Sequence, residues 1–227
     1  MLLCFHWLFF YASIKASNVS IGVVCFSLVG FFTAIFEPLL GKRRFSATDF
    51  MLSTLTLLGV YLVFHFDSQY QLGIVFGVIS SALCSLFIIY NQQIGSNYDT
   101  RNFVLWEMVG GLVGLSLATP LYLLFIPADA LTPSSLDWLY LLFLSLICTV
   151  GLYWLQTIVL QRIPAFTVNL TYNLEPVYSI LFSIIIFNEA QELNFSFLLG
   201  LGCIILSVIL QSLRTAKKHQ KQKPVTL

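Results

Sequence analysis

The chain has 227 residues, of which 58% are hydrophobic and only 9% charged, against roughly 25% charged in soluble domains. So little charge cannot cover a water-facing surface, which excludes an ordinary soluble globule. The net charge of +1 comes with no basic face interleaved with aromatics, so nucleic acid is not an expected partner.

In chain order the sequence gives eight apolar segments, at about 2–14, 18–40, 47–66, 71–91, 102–126, 137–160, 165–187 and 195–213. The first has no basic residue ahead of it and Lys15 behind it, so it reads as a membrane span rather than a cleaved leader. Most segments approach the ~20 residues a helix needs to cross hydrocarbon. They are continuously apolar, not alternating, which argues against a barrel. The expected class is therefore all-α, a polytopic transmembrane helical bundle, because only helices then satisfy their own backbone in lipid.

Numbering the connections alternately outside and inside, starting outside, puts every Lys and Arg except Lys15 on one face. Lys42, Arg43, Arg44, Arg162, Arg214, Lys217 and Lys218 are read as topology anchors, which places both termini in the cytoplasm. Residues 214–227 read as a cytoplasmic basic tail. The five cysteines lie in apolar runs without CxxC or Cys/His spacing, so they read as packing residues, and no metal site is expected.

Residues 6–66 can be laid over residues 153–213 without a gap. Trp7 then falls on Trp154, Leu8 on Leu155, Lys15 on Arg162 and Phe50 on Phe197. The loop Gly41–Arg44 falls on Asn188–Gln191, basic against acidic, as opposite membrane sides would produce. Such inverted repeats are characteristic of secondary transporters; a purely structural duplication is the alternative. By this overlay residues 1–66 form a repeat with three spans and residues 71–213 a repeat with five. Counterparts of the spans at 71–91 and 102–126 would precede Met1, so the first of two five-helix repeats reads as incomplete.

Carboxylates inside spans cost about 2.5–3.5 kcal/mol each at the helix centre, so they default to functional candidates. Glu175 lies mid-span ahead of Pro176, whose ring removes a backbone donor, frees the Tyr172 carbonyl and kinks the helix. Asn169, Tyr172, Asn173 and Pro176 recur at helical spacing and form a polar stripe with Glu175 beside it. The stripe is expected to line a substrate cavity, with Glu175 binding a cationic group or taking a proton; a structural hydrogen-bonded Glu is the bland alternative. Glu107 lies one to two turns inside its span, with Gly110 and Gly111 expected to allow close helix contact; it is a second cavity carboxylate near the cytoplasmic mouth, or it snorkels or pairs with Arg101. Gln156 is a further cavity donor. Glu37, near Lys42–Arg44, reads as an interfacial ion-pair residue. His6 beside Trp7 reads as packing or interfacial, and His65 as interfacial.

The stretch Ala16–Ser20, Phe36-Glu37-Pro38, the basic Lys42–Arg44 and Gly59 resemble the EamA-type permeases of the drug/metabolite transporter superfamily. Ala165–Tyr178 is similar to their ninth helix, particularly in a Bacteroidetes-like subgroup. The resemblance implies two inverted five-helix EamA repeats around a central cavity in a bacterial inner membrane. It also implies carriage, often export, of small metabolites such as amino acids, nucleobase-type compounds or sugar derivatives. Coupling to protons or an exchanged solute, and a homodimer, stay open. The chain carries no Walker motif, HExxH, paired aspartates at membrane depth or Ser/His constellation within spans. An enzyme is thus not expected, nor a cofactor or catalytic residue. The competing readings are a non-transporting or fragmentary membrane protein and, less favoured, an intramembrane enzyme.

Overall fold

The computed structural model describes residues 1–40, 44–65, 70–95, 97–125, 133–163, 167–168, 175, 178–179, 182, 185–186 and 195–222. Among them all regular structure is helical: α1 Leu2–Ala16, α2 Val19–Phe26, α3 Val29–Leu39, α4 Ala47–His65, α5 Gln71–Gly95 and α6 Thr100–Phe125. Then come α7 Ser135–Phe143, a π-helical stretch Leu144–Gly151, α8 Leu152–Leu160, and α9 Phe195–Gln222. Among the described residues four stretches are long and apolar enough to cross a membrane: Val19–Leu39, Gln71–Gly95, Thr100–Pro120 and Ser135–Leu160. Three shorter apolar helices accompany them. The chain is an all-α, polytopic membrane protein.

Local chemistry sets several boundaries. Asn18 caps α2, its Oδ1 accepting from the Ile21 amide at 2.8 Å, one of the orphan donors a helix start must satisfy. The second span is broken where it was expected to be continuous. Ser27 and Leu28 form a tight turn with Leu28 N donating to Cys25 O at 3.0 Å, and the Ser27 hydroxyl binds Val24 O at 2.6 Å. A hydroxyl returning to the preceding turn competes with the helix ladder and bends it. At α7, Ser134 and Asp137 form a reciprocal capping box.

Small residues decide which helices touch. In α5, Gly73 and Gly77 lie against α1 and α2; a Cβ at Gly73 would fall 2.7 Å from Ser17 Cβ, and at Gly77 2.5 Å from Cys25 Cβ. The α4–α9 pair follows the same rule: a Cβ at Gly59 would meet the Gly200 carbonyl at 2.6 Å. Such small-residue contacts let backbones approach where lipid offers no hydrophobic drive to associate. Hydroxyls then bridge the seams. Ser13 donates to Gly73 O at 2.7 Å, Ser81 to Cys25 O at 2.8 Å, and Thr33 and Ser85 meet at 2.8 Å. Between α4 and α9, Thr56 donates to Ser207 at 2.9 Å, and Ser207 to Leu52 O at 2.6 Å.

The core runs through Leu3, Val29, Cys84, Phe87, Ile88 and Leu160, joining α1, α3, α5 and α8. Along Ser135–Gly151, by contrast, no residue is buried. Alternate connections meet at shared ends of the bundle. Gln161 donates to Gly95 O at 3.0 Å, and Arg214 pairs with Asp49 at 2.6 Å. The basic residues from Arg214 to Lys221 continue α9, which runs to Gln222.

The glycines of α6 correct one expectation. Nothing lies within 4 Å of a Cβ at Gly111, and only the Met1 nitrogen, at 3.9 Å, near Gly110. The close approach is at Gly114, against Met1 Sδ and Cys4 Sγ at 2.9 and 3.0 Å. α6 presents Gly114, not the Gly110-Gly111 pair, to α1.

Candidate functional site

α5 is the wall against which the polar side chains gather. His6 of α1 is buried and bound to it: Ser80 Oγ donates to His6 O at 3.0 Å, and His6 Nδ1 lies 2.8 Å from Ser80 Oγ and 3.1 Å from Ser80 O. This pattern is satisfied by an Nδ1-protonated ring donating back to Ser80, with Phe10 and Phe26 packed around it. The histidine is a buried clasp rather than an interfacial residue.

Three turns further along α5 the arrangement changes. Asn91, 2% exposed, donates from Nδ2 to Glu107 Oε1 of α6 at 2.7 Å. Two acceptors of this pair, Asn91 Oδ1 and Glu107 Oε2, are buried with no hydrogen-bond partner. Leaving a buried polar group unsatisfied costs about 1–3 kcal/mol, more if charged. Both residues line a cavity of about 410 Å³, with Phe87, Tyr90, Phe103 and Trp106 among its walls. A second cavity of about 390 Å³, nearly all apolar, lies between α1, α6 and the π-helical stretch, touching Trp7, Tyr11, Gly111 and Thr149.

The other expected residues distribute as follows. Glu107 binds Asn91, while the Arg101 guanidinium lies over the Trp154 ring at 5.9 Å. Gln156 is buried on α8 with its Oε1 unpartnered, and lines neither cavity. Glu175 is half-buried and lies near Cys84 of α5. Cys84 is one turn of α5 from Phe87, so Glu175 and the Asn91–Glu107 pair approach the same helix. Glu37 is buried, beside a small void that Arg44 and Asp49 also line. Arg44 and Arg162 are exposed. Lys217 and Lys218 fall within α9. Asn169, Tyr172, Asn173, Pro176, Lys42 and Arg43 lie outside the described residues. No group of three or more metal-ligating side chains occurs among the described residues.

Asn91 was not singled out from sequence. Its signal is present, because Gly73, Gly77, Ser80 and Asn91 recur on one side of a 25-residue apolar helix.

A bundle of apolar helices with a buried carboxylate–amide pair beside an open cleft defines a polytopic membrane protein that shelters polar groups among its helices. The sequence profile of the EamA-like transporter family matches residues 71–213, and the chain belongs to that family. It is an integral membrane protein of the permease type. Five chains of solved structures match. One, a crystal structure 16% identical in sequence, superimposes with a TM-score of 0.65 over 95% of this chain and 74% of that chain; at that identity the likeness shows the fold alone. No curated protein matches the chain.

Proposed function

We propose that the chain is a secondary transporter, a permease or exporter, moving small metabolites across a bacterial cytoplasmic membrane. The observation that carries this reading is the half-satisfied Asn91–Glu107 pair. A fold that buries a carboxylate and leaves acceptors unsatisfied beside a cavity holds polar groups that a small rearrangement could turn to a solute. Glu107 is the described cavity carboxylate, and Glu175 a second one behind Cys84, available to a coupling proton or to an exchanged solute. Asn169, Tyr172 and Asn173 would extend the polar lining, with Pro176 kinking their helix.

The inverted-repeat arrangement, residues 1–66 against 71–213, is supported by α4 and α9. These helices are counterparts in the sequence overlay. They pack against each other antiparallel, with Asp49 on Arg214, Thr56 on Ser207 and Gly59 on Gly200. A two-fold axis in the membrane plane requires its mates to run so. Both termini are assigned to the cytoplasm on the placement of Arg44, Arg162 and Arg214.

The test is flux in proteoliposomes across a metabolite panel. At least one solute is expected to move, and Glu107→Gln and Glu175→Gln are each expected to slow it. Unchanged flux in both variants would remove the carboxylates from the mechanism. Reporter fusions placing residues 42 and 189 on the same side would remove the inverted repeat.

A further inference from the structure

We infer that the apolar groove between α1, α6 and the π-helical stretch binds one lipid of the bilayer, its acyl chain in the groove and its anionic phosphate headgroup at Lys15. This goes beyond the transporter reading and stands without it. The groove encloses about 390 Å³. Leu3, Trp7 and Tyr11 line it from α1, Ser145 and Thr149 from the π-helical stretch, and Gly111 from α6.

The chemistry of the walls calls for hydrocarbon. No charged side chain lines the groove. The Ser145 hydroxyl donates to Leu142 O at 3.1 Å and that of Thr149 to Leu144 O at 2.9 Å, whereas a held water needs about two to four polar partners. Shape then excludes a helix. From Leu3 to Tyr11 α1 rises ~12 Å. Spread along that length, about 390 Å³ makes a channel only ~6 Å across, against ~10 Å for a helix with its side chains. A single hydrocarbon chain is slimmer and fits. Leu112, Leu141 and Leu144 line the groove and are also exposed, so it opens onto the surface that faces lipid.

The headgroup follows from α1. Leu3, Trp7 and Tyr11 stand four residues apart along one ridge of the helix. The next member of that row is Lys15, exposed in the last turn. A chain lying along the ridge therefore ends at an ammonium, and a lysine at a helix end reaches out to the phosphates of the interface. Lys15 is also the one basic residue that alternation of the connections sets opposite all the others, a position that topology does not explain.

The test uses the full chain with Trp7 as its only tryptophan, the exposed rings of Trp106, Trp138 and Trp154 being replaced by Phe, in phosphatidylcholine vesicles. Brominated phosphatidylglycerol or brominated phosphatidylcholine is titrated in, and quenching of Trp7 gives the relative affinity of the two lipids. Phosphatidylglycerol is expected to be preferred about fivefold, the effect of one Lys at a bilayer surface, and Lys15→Gln should bring that ratio to about one. Gly111→Leu places a branched side chain in the groove, where nothing lies within 4 Å of its Cβ, and should reduce the ratio to less than about twofold by overfilling the chain site. A chain keeping Trp138 alone, exposed beside Asp137 and outside the groove, should show no preference. Equal preference at Trp7 and Trp138 means annular lipid only and overturns the site, as does an unchanged ratio in Lys15→Gln or in Gly111→Leu. Quenching of Trp138 but not of Trp7 by either lipid means that a second copy or water fills the groove, and overturns it too. Native mass spectrometry of the unmodified chain released from mixed vesicles should retain one phosphatidylglycerol; retention of neither lipid, or of both equally, overturns the assignment without any variant.

Discussion

The two ends of one face of α5 behave differently. Toward α1 and α2, Gly73 and Gly77 bring backbones together, and Ser13, Ser80 and Ser81 each hand a proton to a carbonyl across the seam. Toward α6 the contact of Asn91 with Glu107 leaves two buried acceptors unsatisfied beside a cavity. One helix thus joins a closed contact to an open one. The lesson is a division of labour: the glycine–serine seam fixes the position of α5, and that fixed position lets Asn91 and Glu107 stay under-bonded without the helix moving to relieve them.

The sharpest way to break the contrast is at the seam. Gly77→Leu drives a side chain into Cys25 Cβ, 2.5 Å from where its Cβ must sit, and is expected to cost about 3 kcal/mol, read as a lower unfolding midpoint in detergent. Gly111→Leu supplies the contrast. Nothing lies within 4 Å of that position, so the midpoint should shift by no more than about 0.5 kcal/mol. Equal effects from the two would dissolve the distinction.

Next in size is Glu107→Gln. A glutamine can still accept from Asn91, so stability should change by less than about 1 kcal/mol while flux of a transported solute falls. A parallel loss of fold would make Glu107 part of the scaffold. Ser207→Ala, in the α4–α9 seam, should cost about 0.6 kcal/mol, the average for a hydrogen bond between membrane helices, as denaturant titration would show. The smallest effect is expected from Asp49→Asn. The partner Arg214 is 38% exposed, so its loss should cost under about 1 kcal/mol and shrink with added salt. A salt-independent loss would mean that the pair is shielded from solvent.

Much of this was legible in the sequence. Unbroken apolar runs are unambiguous, because nothing but a helix or closed barrel can hide a backbone in lipid. Glu107 stood out for the same reason. What escaped depends on partners. Ser27 and Leu28 have no proline to announce a break; their turn is made by a hydroxyl returning to Val24. α6 carries Gly110, Gly111 and Gly114 along one side, and only the position of α1 decides that Gly114 is the close contact. Asn91 sat where the span seemed to be ending, before Gln92 and Gln93, and its burial follows from α5 continuing to Gly95. The stretch around Glu175, most distinctive in sequence, has its neighbours Asn169 to Asn173 outside the described residues.

The π-helical stretch Leu144–Gly151 has a consequence of its own. Its wide turn, with the Thr149 hydroxyl reaching Leu144 O five residues back at 2.9 Å, stores a surplus residue inside an otherwise regular rod. Sliding that surplus one place along turns the residue it passes through ~100° and leaves both ends of the rod where they were. Around the apolar cavity at Thr149, this is the geometry of a dial: side chains can be exchanged at the wall without any helix having to tilt.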